Sequence, residues 1–469
     1  MTNPIQIIHA LSAIVGSEHL IYGDQEKMAP YSHDEVADRS YARMPAYVVK
    51  PGSAAEIAAI MKLANREKIP VTPRGAGSGL SGGAVPVSGG ILLSTERLNR
   101  ILEIDRDNLI AVLEPGVVTS DFNRQLEKEG LFFAGYPMSQ EVCSIGGNVA
   151  ENAGGARAVK YGVTARYITG LEVVMPTGEI CAFGGKRVKD VTGYNMIGIL
   201  VGSEGTLGIF TRIYIRLLPL PRARIDMMVI FKDIRAAIGA VPEIITRLRV
   251  IPAGLEFMDR LTLETTTRYL REKLPHDHCG AILIIELDGN DSDTIRRECL
   301  DIGDFCLDQG ALDAFIAEGP SDQARIWRIR QHAAEALKAF SAEQSLEDIV
   351  VPINKIPLFI ESLAELSRKY DVLIPCYGHA GDGNLHATVI KKPDSSLEQW
   401  PQVLPLVLEE LYKTAADLGG TISGEHGIGH KRKKYLPLVM SEAEIEAMRS
   451  IKRALDPNNI LNPGKIFDF

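Results

Sequence analysis

Three glycine-rich stretches between residues 75 and 209 decide what the first half of this chain can become. Gly75 to Gly90 holds seven glycines in sixteen residues. Ile145-Gly146-Gly147-Asn148 leads into Asn152-Ala153-Gly154-Gly155, and Val201-Gly202-Ser203-Glu204-Gly205-Thr206-Leu207-Gly208-Ile209 closes the set. Glycine at that density breaks helices, so short strands such as 91–94 and 110–113 are expected to alternate with turns. Gly77 to Gly82 satisfies G-x-G-x-x-G, with Glu96 near the distance of a ribose-binding acid. A Rossmann fingerprint must open a helix, and Pro86 with four glycines in residues 80–93 forbids one. The overlapping G-x-S-x-G at Gly79 to Gly83 fails for the same reason. What survives is a set of loops whose backbone N–H groups can approach a polyphosphate closely.

The rest of the chain divides around these loops. Residues 1–41 read as a helical lead-in, with Ile5, Ile8, Leu11 and Val15 at helical spacing. Ser53 to Glu56 forms a capping box before a helix running to about Glu67, and Pro176-Thr177-Gly178 marks the turn of a hairpin. Leu217-Leu218-Pro219-Leu220-Pro221 looks like a boundary. Beyond it, strands near 227–231 and 281–287 alternate with long amphipathic helices, the pattern of an α+β domain.

With 469 residues, two or three domains are expected. A net charge of −9 gives no reason to expect nucleic-acid binding. No apolar run approaches the roughly 20 residues that cross a bilayer, and no secretory signal is evident. Six scattered cysteines without a C-x-x-C pair argue against zinc ribbons and iron–sulfur ligation, so a reducing cytoplasm is the expected location.

Chemistry concentrates near the C-terminal side. Gly378-His379-Ala380-Gly381-Asp382-Gly383-Asn384-Leu385-His386 places two histidines seven apart across a Gly-Asp-Gly turn. Ser423-Gly424-Glu425-His426-Gly427-Ile428-Gly429-His430 adds a carboxylate and a further imidazole. Two histidines and one carboxylate would leave metal coordination positions open, whereas histidines satisfied in a core and a solvated loop are the alternative. Two imidazole ligands favour Zn, Mn or Fe over Ca.

Arg330 stands out by periodicity. On a helix from Ser321 to Phe340, Ile326, Trp327, Ala333, Ala334, Leu337 and Phe340 all fall within about 80° of it, so it is centred on the apolar face. A guanidinium buried there needs an anion. That anion is either an internal carboxylate or the carboxylate of a substrate, bound bidentately.

Five motifs in fixed order carry a family resemblance: Pro73 to Ala84, Ile145 to Gly155, Lys160-Tyr161-Gly162, Lys189 to Tyr194, and Val201 to Gly208. They resemble the PCMH-type FAD-binding half of the vanillyl-alcohol oxidase superfamily. Within it, the chain is similar to the branch of FAD-linked D-lactate dehydrogenases, glycolate oxidase FAD subunits and D-2-hydroxyglutarate dehydrogenases. The closing Leu461-Asn462-Pro463-Gly464-Lys465-Ile466 matches the same branch. The resemblance implies an α+β fold: a two-subdomain FAD-binding domain over 42–221, then a cap or substrate domain over 222–469 built on an antiparallel sheet. The last residues are expected to return to the FAD domain.

It also implies roles. Pro73, Arg74, Gly75, Ala76, Gly77, Ser78 and Gly79 would hold the FAD pyrophosphate region. Ser144, Gly146, Gly147, Asn148, Asn152, Gly154 and Gly162 would contact the cofactor, as would Glu204, Gly205, Gly208, Ile209 and Asn462. The first loop contains no histidine, so the FAD is expected to be noncovalent. His379, His386 and Glu425 would bind a divalent metal, His426 would be the general base, and Arg330 in Trp327-Arg328-Ile329-Arg330 would take the substrate carboxylate. Where D-2-hydroxyglutarate dehydrogenases carry a lysine before the Asp348 to Pro352 motif, this chain has Leu346-Glu347, which disfavours a dicarboxylate. The implied activity is oxidation of a small D-2-hydroxy acid, D-lactate first, with electrons passed to a separate acceptor. The alternative is the FAD subunit of a complex with an electron-transferring flavoprotein or iron–sulfur subunit.

Overall fold

A computed structural model describes residues 3–273 and 277–469; residues 1 and 2 of the expected lead-in lie outside them. The chain forms two compact units. The first comprises Met1–Gly154, Val163–Leu220 and Glu425–Phe469, and the second Gly155–Gly162 and Pro221–Gly424.

The first unit contains two main sheets. In the four-stranded one, Tyr47–Val49 and Val71–Arg74 run parallel to Ile91–Ser94 between them, and Leu20–Ile21 adds an antiparallel edge. The lead-in therefore supplies a strand as well as the helix Pro4–Val15. Ile7, Leu11 and Val15 of that helix pack with Ile57, Ile60 and Met61 of helix Ala54–Glu67, whose N-cap Ser53 Oγ accepts from Glu56 N at 3.2 Å. The five-stranded sheet is antiparallel, in the order Ile101–Asp105, Ile110–Leu113, Ile209–Arg216, Ile168–Val174, Ile180–Gly184. Its last two strands are the hairpin anticipated around Gly178, paired Val174 to Ile180. No Rossmann crossover helix follows the first glycine loop, as Pro86 requires.

The second unit is built on one antiparallel sheet. Its order is Ala311–Ala317, Ala223–Phe231, Ala281–Gly289, Gly254–Asp259, Cys376–His379, Asn384–Lys391, Gln344–Val350, with Val372–Leu373 also pairing Asn384–Lys391. Side chains alternate across a sheet, so residues paired across the ladder share a face. That rule places Asp226, Glu286, Glu256, His379, His386 and Asp348 on one face, because the register runs Asp226–Glu286, Tyr377–His386 and Asp348–His386, with Glu256 two residues from Met258, the partner of Tyr377. The opposite face carries the fully buried Leu255, Phe257, Leu283, Ile285 and Val229. One face makes the core and the other carries charge.

The short segment Gly155–Gly162 packs with this second unit although its chain neighbours lie in the first. Arg157 Nε meets Glu286 Oε1 at 2.8 Å, Lys160 Nζ meets Asp288 Oδ1 at 2.5 Å, and Tyr161 Oη donates to Asp288 Oδ2 at 2.8 Å. Desolvation, followed by the Asp288 charge, raises the Tyr161 phenol well above its ordinary range. The phenol therefore stays protonated and donating.

One expectation fails. The helix carrying Arg330 is two helices, Pro320–Gln331 and Ala333–Phe340, because His332 at φ −91°, ψ 6° departs from helical geometry between them. Arg330 lies in the last turn of the first helix and is 4% exposed. The angular argument holds up to the break, and Ala333 and Leu337 are buried by the second helix on its own terms.

Candidate functional site

In the second unit the site grows from the hairpin Cys376–His379 and Asn384–Lys391. Gly383 at φ +86° closes the turn, and a Cβ there would lie 2.1 Å from the Val351 carbonyl oxygen. Gly383→Ala therefore combines left-handed strain with a backbone clash. A loss of roughly 2–4 kcal/mol is expected in urea denaturation. The turn brings the His379 and His386 rings to 5.3 Å between centroids, nearly perpendicular. Both residues are buried, at 2% and 4% exposure.

Three further residues frame them. Glu256, 0% exposed, accepts from His379 Nδ1 at 2.6 Å with Oε1 and from Arg330 Nε at 2.6 Å with Oε2. Burial pushes its carboxyl up, but His379 and Arg330 together outweigh burial and hold it below the ordinary carboxylate range. Asp348, also 0% exposed, accepts from Asn384 Nδ2 at 2.7 Å and lies 3.8 Å from His386 Nδ1. Tyr377 lies under the Arg330 guanidinium at 4.9 Å and beside His386 at 5.2 Å. Arg330 Nη2 is buried without a partner. The internal carboxylate and the spare donor are thus both present: one edge of the guanidinium is spent and the other is not.

Leu346 faces the same way as Asp348, opposite Thr388, while Glu347 points to the other face and is held by Ser345 Oγ and Tyr412 Oη. The Glu347 charge is therefore internal, and an apolar side chain stands at its neighbour.

In the first unit, the sequence-selected residues sort into two groups. None of the backbone N–H groups from Gly75 to Ser81 donates a hydrogen bond within the chain among the described residues. A run of unpaired amides is a nest for a polyphosphate, which is the fit FAD requires. Gly75 stacks on Ser144, the N-cap of helix Ile145–Glu151, whose Oγ accepts from Gly147 N at 3.4 Å. Ser203 Oγ in the third loop is buried and unpartnered. These groups are open to a ligand.

The second group is committed to the protein. Arg74 donates to the carbonyls of His33 and Pro30 at 2.7 and 3.0 Å, and Asn148 Nδ2 to Thr119 Oγ1 at 2.8 Å. Asn152 Oδ1 accepts from Ala165 N, and Glu204 from Ile428 N and Gly429 N at 2.8 and 2.6 Å. Ile209 lies in the apolar core, Gly146, Gly205 and Gly208 allow close packing on Pro115, Pro73 and Val173, and Asn462 Nδ2 ties the carbonyls of Gly83 and Glu204. Pro73, Gly154 and Gly162 sit beside these contacts: Pro73 in a strand, Gly154 packed on Val163, and Gly162 in the inserted segment at φ +78°. Their part is to shape the loops.

Around them lies a buried charge cluster. Glu151 is raised well above the carboxylate range by burial and by neighbouring Glu204, and burial pushes Lys465 down to about 7. Arg432, 0% exposed, donates to the Leu80 and Gly427 carbonyls. Glu425 and His426 lie in irregular chain just before Gly427, with Glu425 Oε1 and His426 Nε2 3.6 Å apart.

Sequence reasoning missed Glu256. Its signal was an acid flanked by apolar residues, Leu-Glu-Phe-Met within strand Gly254–Asp259, the kind of buried anion that Arg330 required.

A family model described as an FAD binding domain matches residues 45–184, and one described as the C-terminal domain of FAD linked oxidases matches 220–466. The chain belongs to the FAD-linked oxidase family. This FAD-linked oxidase is 40% identical to the glycolate oxidase subunit GlcD of Bacillus subtilis over 93% of this chain and 92% of that protein. It is 36% identical to a D-lactate dehydrogenase of Anaerostipes hadrus over 96% and 95%. A solved structure of p-cresol methylhydroxylase with substrate bound superposes with a TM-score of 0.81 at 17% identity, covering 99% of this chain and 97% of that one. The last likeness shows the fold: a PCMH-type FAD-binding domain with an antiparallel cap. The chain is accordingly an FAD-dependent oxidoreductase. No helix among the described residues is long and apolar enough to cross a membrane.

Proposed function

We propose that this FAD-linked oxidase oxidises a small D-2-hydroxy monocarboxylate, D-lactate first, to the 2-oxo acid. The observation that carries the reading is Arg330: a buried guanidinium fixed through Nε by Glu256, with Nη2 left without a partner on the histidine-bearing face. A carboxylate is the ligand such a donor takes, and its charge offsets the cost of burying the cation. The names of the relatives, glycolate oxidase subunit and D-lactate dehydrogenase, support the substrate class. Leu346, apolar where a second carboxylate would need a cation, supports a monocarboxylate.

Bound FAD supplies a hydride acceptor, for which the amides of Gly75 to Ser81 provide the noncovalent phosphate cradle. His379, His386 and Glu425 would hold a divalent metal, Zn, Mn or Fe, whose Lewis acidity lowers the pKa of a coordinated hydroxyl. Chain order supports including Glu425: Ser423 Oγ and Gly424 N bond Asp348 Oδ2 at 2.7 and 2.9 Å, and Glu425 follows directly. Arg330 orients the substrate by its carboxylate. His426 takes the hydroxyl proton, the role for which an imidazole near neutral pH is suited.

The acceptor is proposed to be a separate protein, an electron-transferring flavoprotein or iron–sulfur subunit, which the word subunit in the B. subtilis relative's name favours. The test is anaerobic bleaching of the flavin with D-lactate, L-lactate, glycolate and D-2-hydroxyglutarate. D-lactate is expected to bleach fastest and D-2-hydroxyglutarate slowest. Bleaching by none of the four overturns the reading. Rapid reoxidation of the bleached flavin by oxygen removes the need for a protein acceptor.

A further inference from the structure

We propose that Glu256 is a positioning residue that couples metal binding to substrate-carboxylate binding, by holding His379 with one oxygen and Arg330 with the other. The inference rests on the function proposed above and deepens it. Its geometry lies wholly within the second unit.

Glu256 is central in strand Gly254–Asp259 and 0% exposed. A carboxylate can only accept, so the hydrogen in the 2.6 Å contact belongs to His379 Nδ1. With Nδ1 engaged by Glu256, Nε2 is the ring nitrogen that would ligate a metal. Carboxylate–histidine pairs of this kind fix ring orientation and raise ligand basicity. The other oxygen accepts from Arg330 Nε at 2.6 Å. Because the guanidinium is planar, anchoring the Nε edge fixes the direction of Nη2, and the Tyr377 ring at 4.9 Å holds the plane.

Both functional groups thus depend on the placement of one side chain. A metal that draws on His379 pulls Glu256 into register for Arg330, and a carboxylate seated on Arg330 does the same for His379. Coupling of this sort is reciprocal: each ligand tightens the other by the same factor.

The experiment measures the affinity of the FAD-loaded, metal-stripped protein for Mn and Zn ions by competition with a chromophoric chelator, with and without oxamate, a carboxylate the flavin does not oxidise. Oxamate is expected to tighten metal binding in the native protein by about tenfold, within the range of ordinary coupling. In Glu256→Gln, which cannot accept from both partners, metal binding is expected to weaken about 10–100-fold and the oxamate effect to vanish. Glu256→Asp keeps the charge on a shorter arm. It is expected to retain the fold with both effects reduced, and it decides the matter if the Gln variant does not fold.

A native protein without an oxamate effect overturns the proposal. So do folded variants, less stable to heat, whose metal affinity and oxamate effect are unchanged; Glu256 is then a structural counter-ion. Native protein that is bleached by no 2-hydroxy acid, yet shows a Glu256-dependent oxamate effect, overturns the proposed substrate and leaves the coupling standing.

Discussion

Dialysis against a strong chelator is expected to leave the flavin bound and to reduce its bleaching by D-lactate about a thousandfold. The separation follows from where the groups lie. The unpaired amides of Gly75 to Ser81 belong to the first unit and owe nothing to the histidine hairpin in the second. Metal and proton compete for any ligand that must be deprotonated to bind, so the dialysis is made at mildly acidic pH. With the proposed metal removed, the substrate hydroxyl would keep a pKa far above neutral, and several kcal/mol of transition-state stabilisation would be lost. About 4 kcal/mol corresponds to the thousandfold loss. Mn or Zn added back should restore the rate. An unchanged rate in protein shown by elemental analysis to hold no metal ends the metal assignment.

His426→Ala is expected to slow bleaching by about 10²- to 10⁴-fold, the usual contribution of a positioned proton acceptor, while the flavin absorption spectrum and the metal content stay unchanged. Arg330 would still bind the carboxylate, so the substrate concentration for half-maximal rate should move little. Bleaching at the native rate would show that another group takes the proton. Glu425, 3.6 Å from His426 Nε2, makes the choice of variant important, since a carboxylate left beside a bulky polar replacement would acquire new contacts.

Much of the architecture could be read from local pattern. Glycine density with Pro86 excluded a helix after the first glycine loop, and none stands between Val71–Arg74 and Ile91–Ser94. His379 and His386 flank a Gly-Asp-Gly turn, and a hairpin is the short route between strands there. Helical periodicity placed Arg330 inside, where it is. What escaped was long-range. Glu256 is 74 residues from Arg330 and 123 from His379, and no spacing rule connects strands that become neighbours only in the sheet. The break at His332 escaped because the flanking residues keep helical spacing on both sides. The edge strand Leu20–Ile21 is two residues long, too short for any period to show. Several expected cofactor residues turned out to hold loop to loop through Asn462, Glu204 and Arg74, since a motif marks a position without saying whether its side chain or its backbone is used.

The route of the chain bears on how the molecule is made. The peptide passes from one unit to the other at residues 154/155, 162/163, 220/221 and 424/425. The first unit is closed by Glu425–Phe469, where Asn462 N bonds the Val71 carbonyl and Lys452 Nζ bonds that of Thr206. Those pairings span hundreds of residues, and contacts of that separation form slowly. On a ribosome the first strands wait, with loops and apolar faces open, until nearly the whole sequence of the second unit has been translated. Synthesis at roughly 5–20 residues per second makes that wait on the order of ten seconds or more. A fragment cut near Leu220 is therefore expected not to fold on its own, since it lacks the Glu425–Phe469 segment that closes the first unit.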